Sequence, residues 1–134
     1  MIKHAIRHLG GLFFYGAALW AHALEVEPFC YMTENRVGVS LEGSLSYKSG
    51  INIPQYIYID CSQDGCEGFI AGTNWVSTRT IPDLRLEYKS PNLAVLKAGF
   101  LREFQLDRST GSFTWIEGLS ETGGRFQAKC PPNW

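Results

Sequence analysis

The sequence predicts an all-β fold, a small antiparallel barrel or sandwich of seven to nine strands held by disulfides. Three observations carry this. Period-two alternation of apolar and polar residues recurs along the chain. Turn signals built on Gly, Asp, Asn and Pro interrupt it every 8 to 12 residues or so. Four cysteines, Cys30, Cys61, Cys66 and Cys130, form an even set of the kind that staples small exported domains.

The chain opens on a segment of a different kind. Lys3, His4, Arg7 and His8 make a basic head, residues 9–21 are mostly apolar, and Ala21-His22-Ala23 follows as a small-residue pattern. This is the layout of a secretory signal peptide cleaved after Ala23. The apolar run is short of the roughly 20 residues needed to span a bilayer. The expected organisation is a signal peptide over residues 1–23 and one β domain over 24–134, periplasmic or secreted. The membrane is met only through the leader.

Cleavage changes the chemistry available. All three histidines, His4, His8 and His22, leave with the leader. The remaining 111 of 134 residues carry ten basic and 13 acidic side chains, a balance of −3. Without imidazole no Ser-His-Asp or Cys-His site can be built, and most zinc geometries are lost. An interspersed, mildly acidic charge does not suit nucleic acid, which calls for a concentrated basic face. No cofactor and no metal site are expected.

Among the cysteines, Cys61 and Cys66 enclose Ser-Gln-Asp-Gly, and Asp64-Gly65 is a strong turn signal. Of the three possible connectivities, the one favoured has a local bridge across that turn and pairs Cys30 with Cys130. Paired C-x-x-C spacing, which a four-cysteine metal site requires, is absent.

The elements follow in order. Val37, Val39 and Leu41 alternate with polar residues, and Gly43-Ser44 is expected to turn the chain into a short run at Leu45 and Tyr47. Residues 51–61 are the clearest strand, with Ile51, Ile53, Ile57 and Ile59 toward the core and Tyr56 and Tyr58 on the other face. Pro54 has no N–H for a ladder, so an edge or bulge is expected there. Phe69-Ile70-Ala71 precedes a break at Gly72, and residues 75–81 lead to a Pro82-Asp83 turn. Leu84, Leu86 and Tyr88 alternate next. Residues 93–99 fit either a strand or two helical turns opened by Ser90-Pro91, and the strand is preferred. Phe104 and Leu106 are joined to Phe113 and Trp115 by 107–111, where Asp opens and Gly closes the turn. Thr122-Gly123-Gly124 is the last turn, before a strand with Phe126, Ala128 and Cys130. The tail Pro131-Pro132-Asn133-Trp134 cannot extend it. A bridge from Cys30 to Cys130 is expected to set first and last strands side by side and close a barrel.

The run 104–115, with the glycine-led strand ending at Cys130, resembles the C-terminal half of small exported bacterial proteins. The chain is also similar, in size, leader and stapled β architecture, to periplasmic lysozyme inhibitors of small-barrel type. Their inhibitory loop carries a Ser-Gly-x-Arg-Tyr type motif, and the nearest stretch here is Thr122-Gly123-Gly124-Arg125-Phe126. The likeness implies insertion of a loop into a carboxylate cleft, with Arg108 or Arg125 pairing with the enzyme's acids.

Candidate binding residues are Tyr56, Tyr58, Trp75, Arg79, Arg108 and Arg125, since aromatics with polar tips and arginines favour contact surfaces. Packing under a neighbouring element competes as an explanation for the tyrosines. Asp60, Asp64 and Glu67 flank the disulfide loop in a spacing that matches no Ca²⁺ loop, and read as solvated charges. The functional expectation is an exported, non-catalytic binding protein of the cell envelope, with a protein or carbohydrate partner and with lysozyme-type hydrolase inhibition as its specific form. The alternatives are a glycan-acting enzyme that uses carboxylates alone and a structural subunit of an envelope complex.

Overall fold

The computed structural model describes residues 27–72, 78–118 and 123–134, and the segment 1–23 expected to be a leader lies outside them. These residues form ten strands and no helix: β1 (Phe29–Met32), β2 (Arg36–Tyr47), β3 (Asn52–Ser62), β4 (Gly65–Gly72), β5 (Arg79–Thr80), β6 (Leu84–Ser90), β7 (Leu93–Ala98), β8 (Arg102–Asp107), β9 (Ser112–Glu117) and β10 (Gly124–Lys129). All belong to one sheet, so a sandwich is ruled out. Nine strands follow one path, β5-β4-β3-β2-β10-β9-β8-β7-β6, and β1 pairs with β2 beside it. Every pairing is antiparallel. The ambiguous stretch 93–99 forms strand β7 over Leu93–Ala98, the preferred of its two readings.

The sheet curls into a half-barrel around one core. A single row of side chains crosses it from Leu96 through Phe104, Trp115 and Phe126 to Leu45. The rings of Phe104 and Trp115 lie 6.0 Å apart and those of Trp115 and Phe126 5.4 Å apart. Tilted aromatic pairs at this spacing add to the stabilisation from burial alone. Leu84 and Ile81 pack onto Gly68, where a Cβ would lie 3.1 and 3.2 Å from their methyl carbons. The curl is therefore completed where the β6 side of the sheet meets β4 through side chains.

Gly43 does not turn the chain. β2 runs unbroken for 12 residues, and Gly43 sits where its neighbour changes from β1 to β10. A Cβ there would meet the Gln127 carbonyl oxygen at 2.7 Å and the Phe126 ring at 2.8 Å. This glycine serves close approach rather than a turn.

The first and last strands are not side by side either. β1 pairs with the first half of β2 and β10 with its second half, on the same edge. The Cys30–Cys130 disulfide joins these two segments, which follow one another along β2, and the Cys61–Cys66 disulfide forms a rung between β3 and β4. Both expected pairings are present. Two disulfides are consistent with an oxidising compartment.

The isoleucine alternation holds for half its length. Ile57 and Ile59 are fully buried, whereas Ile51 and Ile53 are 55% and 38% exposed. The core ends before the strand does, and nothing among the described residues crosses above its first turn. Pro54 sits just beyond the last rung with β4, where β3 has one neighbour among the described residues; the missing N–H is tolerated there.

Candidate functional site: the open rim

Register fixes two ends of the half-barrel. At one, the rung Tyr47, Gly124, Glu117, Arg102, Ala98 and Leu84 crosses from β2 to β6. At the other lie the turns after β1, β3, β6 and β8 and the C-terminal tail.

The second end is tied across by hydrogen bonds and borders a hollow of about 520 Å³ lined by Thr33, Tyr88 and Arg108 among others. The Tyr88 hydroxyl donates to the Thr33 carbonyl at 2.6 Å. The Arg108 guanidinium donates to the Met32 carbonyl and sits 5.9 Å above the Trp134 ring. Its backbone N–H donates to Asn92 at 2.7 Å. Lys129 Nζ donates to the Thr110 carbonyl at 3.1 Å, and the Cys130 N–H to the Gly111 carbonyl at 2.8 Å. In the turn 107–111, the Asp107 carboxylate accepts from the Ser109 hydroxyl at 2.6 Å and its N–H at 2.9 Å. Those bonds hold its pKa below the usual carboxylate value, and Gly111 takes the left-handed φ of 70° that ends the turn. Trp134 packs against the core, so the tail is docked.

At the first end, the described residues leave apolar side chains in solvent. Among the described residues, the large hydrophobic side chains left exposed are Ile51, Ile53, Phe100 and Leu101. All four belong to this end, two at the β2–β3 hairpin and two at the tip of the β7–β8 hairpin. Phe100 is 103% exposed and Leu101 53%. Their hairpin turns at Gly99, whose φ is +65°, and is anchored by a bond from the Gly118 N–H to the Leu101 carbonyl at 2.8 Å. A fixed backbone thus presents apolar side chains to solvent. Beside the tip is a hollow of about 430 Å³ with Ile70 and Ala98 among its lining and Arg79, Asp83, Arg102 and Glu117 as its charged groups.

Glu117 organises this end. Its Oε1 accepts from Arg102 Nε at 2.6 Å and from the Trp115 indole N–H at 2.8 Å. The buried indole donor therefore has its partner, and the ion pair is partly shielded, with side chains 22% and 26% exposed.

The sequence-derived candidates scatter. Arg79 is exposed and lines the hollow. Tyr56 and Tyr58 are on the face opposite the main core, as expected, but they are packed: they are 3% and 4% exposed, in a second cluster with Ala71, Phe29, Tyr31 and Phe69. The Tyr58 and Phe69 rings stack at 5.1 Å, and the Tyr56 hydroxyl bonds Ser40 Oγ at 2.5 Å. Burial pushes the Tyr56 phenol up to about 12 and raises Tyr58 as well, the latter helped by Glu67. Arg108 is committed to the tied end. Arg125 is exposed on β10, next to the inward Phe126 and one residue from Gly124 of the first-end rung, and does not line the hollow. Trp75 lies outside the described residues, as does Thr122 of the inhibitor-like stretch.

Asp60 is engaged by a fork from Arg36, Nε at 3.0 Å and Nη2 at 2.8 Å, and by the Tyr31 hydroxyl at 2.7 Å. Burial and that carboxylate together raise the Tyr31 phenol. No cluster of potential metal ligands and no unpartnered buried side-chain polar atom occurs among the described residues, and all four cysteines are bridged.

Phe100 and Leu101 were missed by sequence reading. The signal was present: two large apolar residues directly after a glycine, at the point where two alternating runs must reverse. Comparison of the chain with family models, curated proteins and solved structures finds no match.

Proposed function

We propose that the chain is an exported, non-catalytic binding protein of the cell envelope that engages a protein partner through the open rim. The observation that supports this is the segregation of exposed apolar side chains to one end while the other end is tied by hydrogen bonds and a disulfide. Exposed apolar side chains flanked by charge are the composition of contact sites. Export rests on the leader pattern of residues 1–23 and on the two disulfides. Inhibition of a lysozyme-type hydrolase remains a specific form of this reading, with the Phe100 hairpin as the wedge and Arg79, which has no ion pair among the described residues, as the cation beside it. Arg108, held at the tied end, does not serve that role.

A carbohydrate partner is the second reading. The hollow lies within the size range of small-ligand sites and has both signs of charge in its lining.

The test is a photo-crosslinking amino acid placed at position 100 in cells exporting the full chain, with position 125 as control. Discrete protein adducts at 100 and none at 125 are expected. Adducts at 125 without adducts at 100 contradict the assignment. Incubation with c-type lysozyme and with peptidoglycan fragments separates the two partner classes.

A further inference from the structure

We propose that the open rim docks a second copy of the chain in a two-fold arrangement, so that self-association covers the surface used for the partner. This rests on the reading of the rim as the contact surface and adds its regulation. A two-fold interface applies one patch to itself, so the patch must carry both halves of every contact. This one does. A knob, Phe100 with Leu101, projects from the wall of a hollow that also has Ile70 and Ala98 in its lining. Arg79 and Asp83, both exposed, line the same hollow and have no ion pair among the described residues, whereas Arg102 is paired with Glu117.

Across a two-fold axis the Phe100 knob of one copy enters the hollow of the other, and Arg79 meets the second copy's Asp83 twice over. The charges in the hollow are balanced rather than predominantly basic, so the patch is a poorer match for an anionic bilayer than for a surface of like composition. The sheet edges do not compete as docking sites. β5 has two residues, and β6 carries Arg85, Glu87 and Lys89 with a register shift after Tyr88, features that discourage strand addition.

Sedimentation velocity on the protein recovered after export of the full chain tests this. The wild type is expected to show reversible monomer–dimer exchange on the order of 100 μM, as a small interface allows. Phe100→Ser should weaken it about tenfold or more. R79D and D83R should each fail to self-associate, and an equal mixture of the two should associate again, because every like-charge contact becomes an opposite-charge one. R79Q and D83N, which remove charge without reversing it, should weaken association in the same direction; asparagine accepts the left-handed φ of 56° at position 83. A wild type that stays monomeric to about 1 mM, single variants that associate like wild type, or a mixture that fails to recover each overturn the proposal. Monomeric protein that still crosslinks from position 100 to another protein overturns self-docking alone and leaves the rim standing as a contact surface.

Discussion

The two disulfides make a sharp test of how this fold is held, because they close loops of very different length. Cys30 and Cys130 are 100 residues apart and Cys61 and Cys66 five. In the chain-entropy model the long closure contributes about 4.7 kcal/mol and the short one about 2 kcal/mol. Their surroundings add to the contrast. The Cys61–Cys66 rung belongs to a hairpin paired from Gln55 to Ser62, which survives without the bridge. β1, in contrast, has four residues and pairs with β2 alone, so its strap to residue 130 is what fixes it against the last strand. Cys30 and Cys61 are both buried, so alanine substitution removes comparable packing in either pair. The expected cost is about 4 to 5 kcal/mol for C30A/C130A and about 2 kcal/mol for C61A/C66A. Urea unfolding followed by tryptophan fluorescence measures both, since Trp115 is buried. The long-loop variant should also show a larger dependence on urea, because its unfolded chain exposes more surface. An equal or larger cost for the short pair would refute this reasoning.

Other outcomes follow from single positions. Trp115→Ala should cost about 3 to 5 kcal/mol and free Glu117 from its indole partner, whereas Phe100→Ala should stay within about 0.5 kcal/mol; thermal unfolding of the two variants checks both. Because the Tyr56 phenol is raised to about 12, the folded state holds its proton longer than the unfolded chain does. Its contribution is therefore complete below pH 10 or so and is lost between about 10 and 12. A phenolate absorbance titration, compared with Tyr56→Phe, should show late ionisation and a steeper alkaline loss of stability in the wild type. Gly43→Ala should destabilise by about 1 to 3 kcal/mol through its clash with the Gln127 carbonyl and the Phe126 ring, where a surface turn would lose only a few tenths. Urea unfolding distinguishes these.

Most of the fold was legible because its signals are local. Alternation located β3, β6, β8 and β9, and the Asp107 to Gly111 turn chemistry reads directly from sequence. The cysteine pairing followed from one short loop and the exclusion it imposes. What was misread depended on neighbours distant in sequence. Gly43 looks like a turn former, yet its role is to let β10 approach. Ile51 and Ile53 have the same periodicity as Ile57 and Ile59; only the position of the core separates them. Tyr56 and Tyr58 were placed on the correct face, but their burial depends on β1 and β4 contributing Phe29, Tyr31 and Phe69. The rim was illegible for the same reason. Its four apolar residues come from two hairpins about 50 positions apart, and only the curl of the sheet puts them at one end.

Hydroxyl-radical footprinting of the protein, purified at low concentration and again within envelope extract, tests the proposed contact surface most directly. Protection in extract is expected at Phe100 and Leu101, and at Ile51 to a lesser degree, with Tyr88 and Trp134 unchanged between the two samples. Protection confined to the tied end, around residues 108–112 and the tail, with the rim as reactive as in the purified protein, would contradict the assignment.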